Sequence, residues 1–323
     1  MNGLLLAGLF VAVPGAVMVP ALRELVRPKD DAPMPIDLRD GRDPHHRGVV
    51  LREALAVSSL TDPSSIALDV RVIRAGAEMG DALAPGSLTF EPGSSGRAVH
   101  AAGRVRLLDG AQVNALAADQ SVATGDGVTV RDLLDAVGAV RIGRRCQIAR
   151  CVSAERISMG AEGRFAYLSA PIIRTANADP GDEGDASEIE AHELTIEDAV
   201  IWCKDRMSIP IGMHLERDVV AYGDVHIGAD TRIDGTVKAH GSITVGPRAR
   251  IGGNLIARKN IQLGPDAEVA GNIFADDDLS LARGCRVGRP GAIKTAHAGG
   301  TLRLGREVAV YGVVSVYGIG IAE

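Results

Sequence analysis

Residues 207–290 divide into fourteen unbroken hexads: MSIPIG, MHLERD, VVAYGD, VHIGAD, TRIDGT, VKAHGS, ITVGPR, ARIGGN, LIARKN, IQLGPD, AEVAGN, IFADDD, LSLARG and CRVGRP. The first and third positions of every hexad are apolar or small, and the second is mostly polar, as in His226, Thr244 and Gln262. This alternation indicates a short strand with one buried face. Gly, Asp, Pro, Arg and Asn dominate the last three positions and predict a tight corner.

A second period, three hexads long, lies on top of the first. In one series, every third hexad begins with a large apolar residue: Val225, Ile243, Ile261 and Leu279. In another series, every third hexad has alanine at its third position: Ala239, Ala257 and Ala275. Three hexads therefore make one turn, in which like residues stack on like residues. This predicts an all-β chain that forms a parallel, triangular β-helix solenoid of about 18 residues per turn.

The repeat extends beyond this stretch in both directions. Upstream, Val105, Val122, Val140 and Ile157 follow one another at steps that equal three hexads or fall one residue short of them. We predict a degenerate coil over residues 66–175 and a regular coil over 207–323. The acidic stretch 176–206 between them is interpreted as an extruded loop, with Trp202 covering its junction with the regular coil.

The N-terminal residues predict a membrane anchor. Residues 4–22 carry no charge, and 19 residues at ~1.5 Å each span about 28 Å, close to the hydrocarbon core of a bilayer. A cleaved signal peptide is the alternative, but the residues before the apolar run include no Lys or Arg. Arg23, Arg27 and Lys29 follow it and favour a single-pass protein of the inner membrane with its C-terminal bulk in the cytoplasm.

We assign residues 1–28 to the anchor and 29–65 to a polar linker, in which residues 51–60 form a short helix. His45 and His46 are interpreted as solvated linker side chains, since neighbours in an extended chain point opposite ways.

Composition excludes several classes of function. The net charge of −6 argues against nucleic-acid binding through the overall field. Aromatic residues make up 3% of a chain that is 46% apolar, which fits a core of narrow, equivalent layers. Cys146, Cys151, Cys203 and Cys285 lack metal-binding spacing and are interpreted as buried hydrophobic residues. We predict no metal, no cofactor and no enzymatic activity.

Residues 253–288, GNLIARKNIQLGPDAEVAGNIFADDDLSLARGCRVG, resemble the bactofilins, bacterial polymer-forming cytoskeletal proteins. The places typical of that family are held by Gly253-Asn254-Leu255, Ala257, Ile261, Leu263, Ala267, Val269, Gly271 and Ile273. The resemblance implies a right-handed β-helix, end-to-end self-assembly without nucleotide, and association with the inner face of the membrane. The anchor, the degenerate coil and the acidic insert depart from the family pattern, so free filament growth is in doubt.

Two alternatives remain open. Hexapeptide-repeat acyltransferases also coil in hexads and use a loop histidine as general base, for which His214, His226, His240 and His297 are the candidates. Large residues such as Val225 and Ile243 stand where that coil prefers small ones, and no carboxylate has a spacing that would orient a histidine. The second alternative is a structural protein of the cell envelope that faces the periplasm.

The predicted mechanism of assembly follows from the open ends of a β-helix. Each end exposes unpaired strand edges and a cross-section of the core, and docking of two ends satisfies both. The last rung, residues 313–323, lacks charged residues that would block docking until Glu323. It is the predicted interface with a second copy, through Val314, Val316, Tyr317 and Ile319. A cap formed by the linker is the competing account.

Overall fold

The computed structural model describes residues 45–61, 72–175 and 200–323. Helix α1 (His46–Thr61) precedes a continuous array of short strands that coil through about 13 turns. Most neighbouring turns pair in parallel, with about 18 residues per turn and three strands in each turn. The predicted solenoid is confirmed, and its handedness stays a prediction.

The first part of the array, here called the N-coil, runs over residues 72–175. Its strands are β1 (Val72–Ile73), β2 (Glu78–Met79), β3 (Ala82–Ala84), β4 (Leu88–Phe90), β5 (Ser95–Ala101), β6 (Val105–Leu107), β7 (Gln112–Ala118), β8 (Val122–Thr124), β9 (Thr129–Ala136), β10 (Ala139–Ile142), β11 (Gln147–Ile148), β12 (Cys151–Ser153), β13 (Arg156–Met159) and β14 (Arg164–Thr175). Val105, Val122, Val140 and Ile157 pair in succession, as their spacing predicts.

The second part, the C-coil, runs over residues 200–323. Its strands are β15 (Val200–Cys203), β16 (Met207–Ile209), β17 (His214–Leu215), β18 (Asp218–Ala221), β19 (Val225–Ile227), β20 (Arg232–Ile233), β21 (Val237–Ala239), β22 (Ile243–Val245), β23 (Arg250–Ile251), β24 (Leu255–Ala257), β25 (Ile261–Leu263), β26 (Glu268–Val269), β27 (Ile273–Ala275), β28 (Leu279–Leu281), β29 (Arg286–Val287), β30 (Lys294–Ala298), β31 (Thr301–Leu304) and β32 (Ala309–Ala322). Since β15 pairs with β18, the regular coil begins before residue 207.

The core of the C-coil is built as its two periods predict. Val225, Ile243, Ile261 and Leu279 pair in sequence and are at most 1% exposed. Ala239, Ala257 and Ala275 form a buried column on another face. Each inward side chain therefore packs on its equivalents one turn above and below, which explains why the same sizes recur in every third hexad.

Corner side chains connect the turns through hydrogen bonds. The backbone N–H of Asn272 donates to Oδ1 of Asn254, one turn earlier, at 2.8 Å. The N–H of Thr295 donates to Oδ1 of Asn272 at 2.9 Å across a step of 23 residues. The longer step accommodates the irregular segment after β29, where Arg289 and Ala292 form an isolated bridge. The coil therefore continues through this insertion with its corner ladder intact.

Two sequence predictions concern residues outside the described part of the chain. The predicted membrane span at residues 4–22 and the acidic residues 176–199 both lie there. Among the described residues, no helix combines the length and apolarity needed to cross a bilayer. The predicted helix within residues 29–65 is present as α1, longer than expected.

Candidate functional site

The last turns of the two coils meet each other. Strand β14 pairs with β32 in antiparallel register along all three faces of the solenoid. Leu168 stands opposite Val314, Ile173 opposite Val310, and Phe165 opposite Gly320. The C-terminal end of the N-coil therefore docks on the C-terminal end of the C-coil, and we call this contact the junction.

The junction has a buried apolar centre and hydrogen bonds at its margin. Leu168, Ile173, Val310 and Val314 are at most 2% exposed. The Thr175 hydroxyl donates to the carbonyl of Gly305 at 2.8 Å and accepts from the N–H of Val308 at 3.0 Å. Gly320 is required by close approach, because a Cβ there would collide with the ring of Phe165. Such packing has the character of a protein core.

The four residues predicted to contact a second copy lie at this junction. Val314 and Val316 are buried, at 0% and 5% exposure, while Tyr317 and Ile319 stay exposed, at 85% and 50%. The edge of their strand is occupied by β14 of the same chain. The docking chemistry expected for this rung is thus present, but its partner is the N-coil. Contact of these four residues with a second copy stays a prediction, as does a cap formed by the linker, and Tyr317 and Ile319 are the two that β14 leaves exposed.

The opposite end of the C-coil is different. In the described part of the chain, β15, β16 and β17 pair only with the next turn, through β18, β19 and β20. The inward residues Ile201, Met207 and Leu215 are half-buried, whereas their equivalents one turn on are at most 1% exposed: Val219, Val225 and Ile233. Ile211 and Met213, at the corner of this turn, are 74% and 40% exposed. We call residues 200–215 the open rung.

The first turn of the N-coil is more polar than the open rung. Its strands β1, β2 and β3 contain Val72, Glu78 and Ala82, and Asp81 in its corner forms a bidentate ion pair with Arg97, at 2.7 and 2.8 Å. Ile73 and Ala82 are 7% and 1% exposed. Of the two first turns, the open rung presents the larger apolar surface.

Helix α1 is held on the N-coil by a charged cluster that sequence reasoning missed. The carboxylate of Asp135, fully buried, accepts from Arg52 at 2.6 Å and contacts Nδ1 of His45 at 2.8 Å. Arg52 also donates to Asp119 at 2.8 Å, which contacts His100 at 3.0 Å. His45 therefore contacts a buried carboxylate, and its interpretation as a solvated linker side chain is wrong.

The pKa of Asp119 follows from this cluster. Partial burial alone would raise the pKa of its carboxyl group, but hydrogen bonds from Arg52 and His100 outweigh burial and hold the pKa below its usual range. These partners lie 67 and 19 residues away. No local spacing in the sequence predicts contacts over such separations.

The candidate histidines of the enzymatic alternative are all on the outside of the C-coil. Nε2 of His214 lies 2.7 Å from Asp234, so the expectation that no carboxylate could orient a histidine is wrong. Asp234 also accepts from Arg232 at 2.8 Å. His240 stacks on Tyr222, His297 meets the ring of Tyr317 edge-on, and His226 is exposed on β19.

The four histidines lie apart from the hollow on the C-coil. A shallow hollow of about 200 Å³ on the C-coil is lined by polar side chains that include Gln262, Ser280 and Arg303, and by none of the four histidines. Within the described ranges, no group of three or more His, Cys, Asp or Glu residues could hold a metal ion. His214 and Asp234 thus form an exposed surface pair.

The cysteines divide into two groups. Cys146, Cys151 and Cys285 are buried, as predicted, and Cys203 on the open rung is half-exposed. Burial raises the pKa of the Cys285 thiol to about 12. Cys203 is therefore the accessible thiol among the four.

Comparisons of the chain with protein-family models, curated proteins and solved structures found no match.

Proposed function

We propose that this chain is a membrane-associated structural protein of the bactofilin type, which self-assembles through the open rung of its C-coil. The junction is the observation that carries the proposal. It shows that ends of these coils dock by antiparallel strand pairing and close an apolar cross-section. The open rung presents the same two elements, strand edges and half-buried core residues.

The physical drive for docking is the same at both places. A strand edge offers unpaired N–H and C=O groups, which a second strand satisfies. Half-buried Ile201, Met207 and Leu215 would lose their remaining contact with water, which stabilises the contact in proportion to the apolar area removed. A second copy supplies an identical rung, so a two-fold contact between open rungs satisfies both molecules.

The two-coil architecture affects how far assembly proceeds. The last turn of each coil is covered in the junction. The first turn of the N-coil and the first turn of the C-coil therefore remain for contacts with other molecules. Docking of open rungs alone produces a dimer. Growth into a filament also requires the more polar first turn of the N-coil, so we expect the dimer to be the first assembled species.

A pair of aspartate substitutions on one strand tests the proposal. Met207→Asp places a carboxylate on the inward side of β16, where docking would bury it, whereas Ser208→Asp places the same charge on the exposed outer side. Burial of an unpaired charge is costly, so only Met207→Asp should abolish assembly. Sedimentation velocity of the full chain in detergent measures assembly, with circular dichroism as a control for the fold.

Three results would contradict the proposal. The unsubstituted chain could remain a monomer at every concentration, Met207→Asp could assemble normally while keeping its strand signal, or Ser208→Asp could abolish assembly equally. The last result would indicate a contact through the outer surface of β16 and not through the end of the coil.

The proposed location is the inner membrane, with the coils in the cytoplasm. It is supported by the uncharged residues 4–22 and the positive charges after them. Because Cys203 is the accessible thiol of the unassembled chain, a membrane-impermeant maleimide should label it only after the cells are permeabilised and the assembly is dissociated in detergent. Labelling in intact spheroplasts would instead place the coils in the periplasm and favour the envelope alternative.

A further inference from the structure

One outer face of the C-coil is rich in aromatic side chains. Strands β15, β18, β21, β24, β27 and β30 stack in register and point successive residues outward. We call this surface the aromatic face, with the outward residues Trp202, Val220, Lys238, Ile256, Phe274 and His297, and the corner residues Lys204, Tyr222, His240, Arg258, Asp276 and Tyr317. The equivalent outward positions on the face of β19, β22, β25 and β28 are polar: His226, Thr244, Gln262 and Ser280.

The concentration of aromatic residues here is unusual for this chain. It has one tryptophan, four tyrosines and four phenylalanines, and Trp202, Tyr222, Phe274 and Tyr317 all lie on this face. They are 65%, 57%, 39% and 85% exposed. Inside the solenoid these side chains would contribute to the core, whereas on its surface they form, with Val220 and Ile256, an apolar strip interrupted by Lys238 and Arg258. Exposed apolar surface of this kind usually marks an interaction site.

The rings are held in outward positions. The ring of Tyr222 stacks on His240 at a centroid distance of 4.8 Å. His297 meets Tyr317 edge-on at 5.0 Å and lies 6.4 Å from Phe274. From Trp202 to Tyr317 the face extends over about 29 Å, at ~4.8 Å per turn. The result is a flat strip and not a groove.

Charges on the face add a second feature. Lys204, Lys238 and Arg258 outnumber Asp218 and Asp276, although the chain as a whole carries a net charge of −6. Lys and Arg beside Tyr and Trp are the side chains found where proteins meet lipid headgroups, because each combines an apolar body with a polar end.

The aromatic face is continuous with the side of the N-coil that carries helix α1. Across the junction, Ser315 of β32 pairs with His297 on one side and with Tyr167 of β14 on the other. Tyr167 pairs with Cys151, and Ser169 in the same strand stands beside Ser153, which neighbours Asp135. Asp135 is the residue that anchors α1 through Arg52 and His45.

His45, the first described residue, therefore lies on the side of the solenoid that carries the aromatic face. Residues 1–44, which contain the uncharged run 4–22, connect to the described structure at His45. The outer side of α1 presents Val49 and Val50, which are 40% and 49% exposed. A tether that enters the membrane from this side would bring the aromatic face toward the lipid.

We propose that the aromatic face lies against the surface of a phospholipid bilayer, so that the solenoid rests lengthwise on the membrane. This inference rests on the proposed membrane association and is independent of self-assembly through the open rung. The aromatic rings, Val220 and Ile256 enter the headgroup region, and Lys238 and Arg258 contact lipid phosphates.

The geometry favours a bilayer over two other partners. Single-stranded nucleic acid is bound in positively charged grooves with rings free to stack on bases, whereas this strip is flat and Tyr222 and Tyr317 already contact histidines. A second copy docked face to face would bring Lys238 and Arg258 toward the same residues of its partner in most registers, and like charges in contact are costly.

The position of Trp202 makes the test direct, because it is the single tryptophan of the chain. The full chain is reconstituted into vesicles of phosphatidylcholine, with and without phosphatidylglycerol, and its fluorescence is recorded. We expect a blue shift, and quenching by phosphatidylcholine brominated on its acyl chains, both stronger with phosphatidylglycerol. Flotation shows whether the chain is on the vesicles, and sedimentation without lipid shows whether it assembles.

Variants locate the contact. Phe274→Asp combined with Lys238→Glu should abolish the blue shift and the quenching while the chain still floats with the vesicles. Arg250→Glu combined with Thr244→Asp, the same total change of charge on the outward sides of β23 and β22, should leave both unchanged.

Other outcomes overturn the inference. A chain that floats while Trp202 remains exposed to water keeps its tether but does not lie on this face, and a chain that does not float contradicts membrane association as well. Protection of Trp202 by single-stranded RNA would assign the face to nucleic acid. Protection by higher protein concentration without lipid, if it persists in Met207→Asp, would assign the face to a second copy. Loss of assembly with Trp202 still quenched would contradict only the proposed self-assembly.

Discussion

The junction and the open rung lie at opposite ends of the C-coil and differ in how far their inward residues are covered. At the junction, Val314 is fully buried and its strand edge is paired with β14. At the open rung, Met207 also points inward, although it belongs to a different column of stacked residues. Its side chain remains half-buried. Both are built from the same alternation of apolar and polar residues. The two ends therefore differ in whether another strand covers them and not in the pattern of their residues.

This comparison shows that the last rung, which the sequence predicts to dock, has a docking partner within the same chain. The last rung looked suited to docking because it is apolar, and it does dock. A solenoid followed by a second solenoid in one chain can satisfy that end internally, at the high effective concentration that a covalent link provides. The open rung lies at the other end of the C-coil, and among the described residues it pairs only with the next turn.

The largest expected effect is that of a charge within the junction. Val314→Asp would bury an unpaired carboxylate between β30 and β14, at a cost of about 3–5 kcal/mol. We expect a large fall in the free energy of unfolding, measured by urea denaturation. Tyr317→Asp, at a position that is 85% exposed, should change it by no more than ~0.5 kcal/mol. Equal effects would mean that the two coils do not meet through β32.

Matched truncations compare the two ends directly. Leu168→Ala removes a side chain that is fully buried in the junction, and we expect a loss of about 2–5 kcal/mol. Leu215→Ala removes the same atoms from the half-buried open rung and should cost less than half as much, since part of that side chain already contacts water. If Leu215→Ala proves the more costly in urea denaturation, the open rung is covered in solution.

The middle of the C-coil provides a reference for both ends. Ala257 lies between Ala239 and Ala275 in a buried column, so Ala257→Leu should overpack its layer and cost about 1–3 kcal/mol. Arg258→Ala, one residue on and exposed, should stay within ~0.5 kcal/mol. Thermal unfolding of both variants measures the difference. Similar losses of stability would mean that the assignment of inward and outward residues is wrong by one position.

The attachment of α1 should depend on pH. Because the pKa of Asp119 is lowered in the folded protein, its ion pairs contribute fully above the pKa of the unfolded state, about 4. The contribution is lost as the pH falls through the lowered value. Unfolding measured between neutral and acidic pH should show a steeper loss for the unsubstituted chain than for Asp119→Asn. Parallel curves would show that Asp119 does not titrate in this way.

The smallest effect is a difference in thiol reactivity. Cys203 on the open rung should react with a maleimide in the native state, whereas Cys285, buried and with its pKa raised to about 12, should react only after unfolding. If open rungs dock, labelling of Cys203 should slow as the protein concentration rises. Mass spectrometry of labelled peptides gives both rates. A rate for Cys203 that is independent of concentration would argue against docking at this end.

The repeat in the sequence determined the rung, the period and the identity of the core residues. These features are local, because each inward residue packs on its equivalents one turn before and one turn after it. That spacing can be read directly from the sequence. Ala239, Ala257 and Ala275 were placed correctly for this reason. So was the degenerate N-coil, whose large residues keep nearly the same step although its corners vary.

Only the tertiary structure decided how the two coils face each other and where the charged cluster beneath α1 forms. Leu168 and Val314 meet from distant parts of the chain with no shared spacing, and Arg52 finds Asp135 at a separation of 83 residues. Such contacts depend on the direction in which the second coil returns, which no repeat encodes. Apolar character makes an end able to dock, but the geometry of the whole chain selects what docks there.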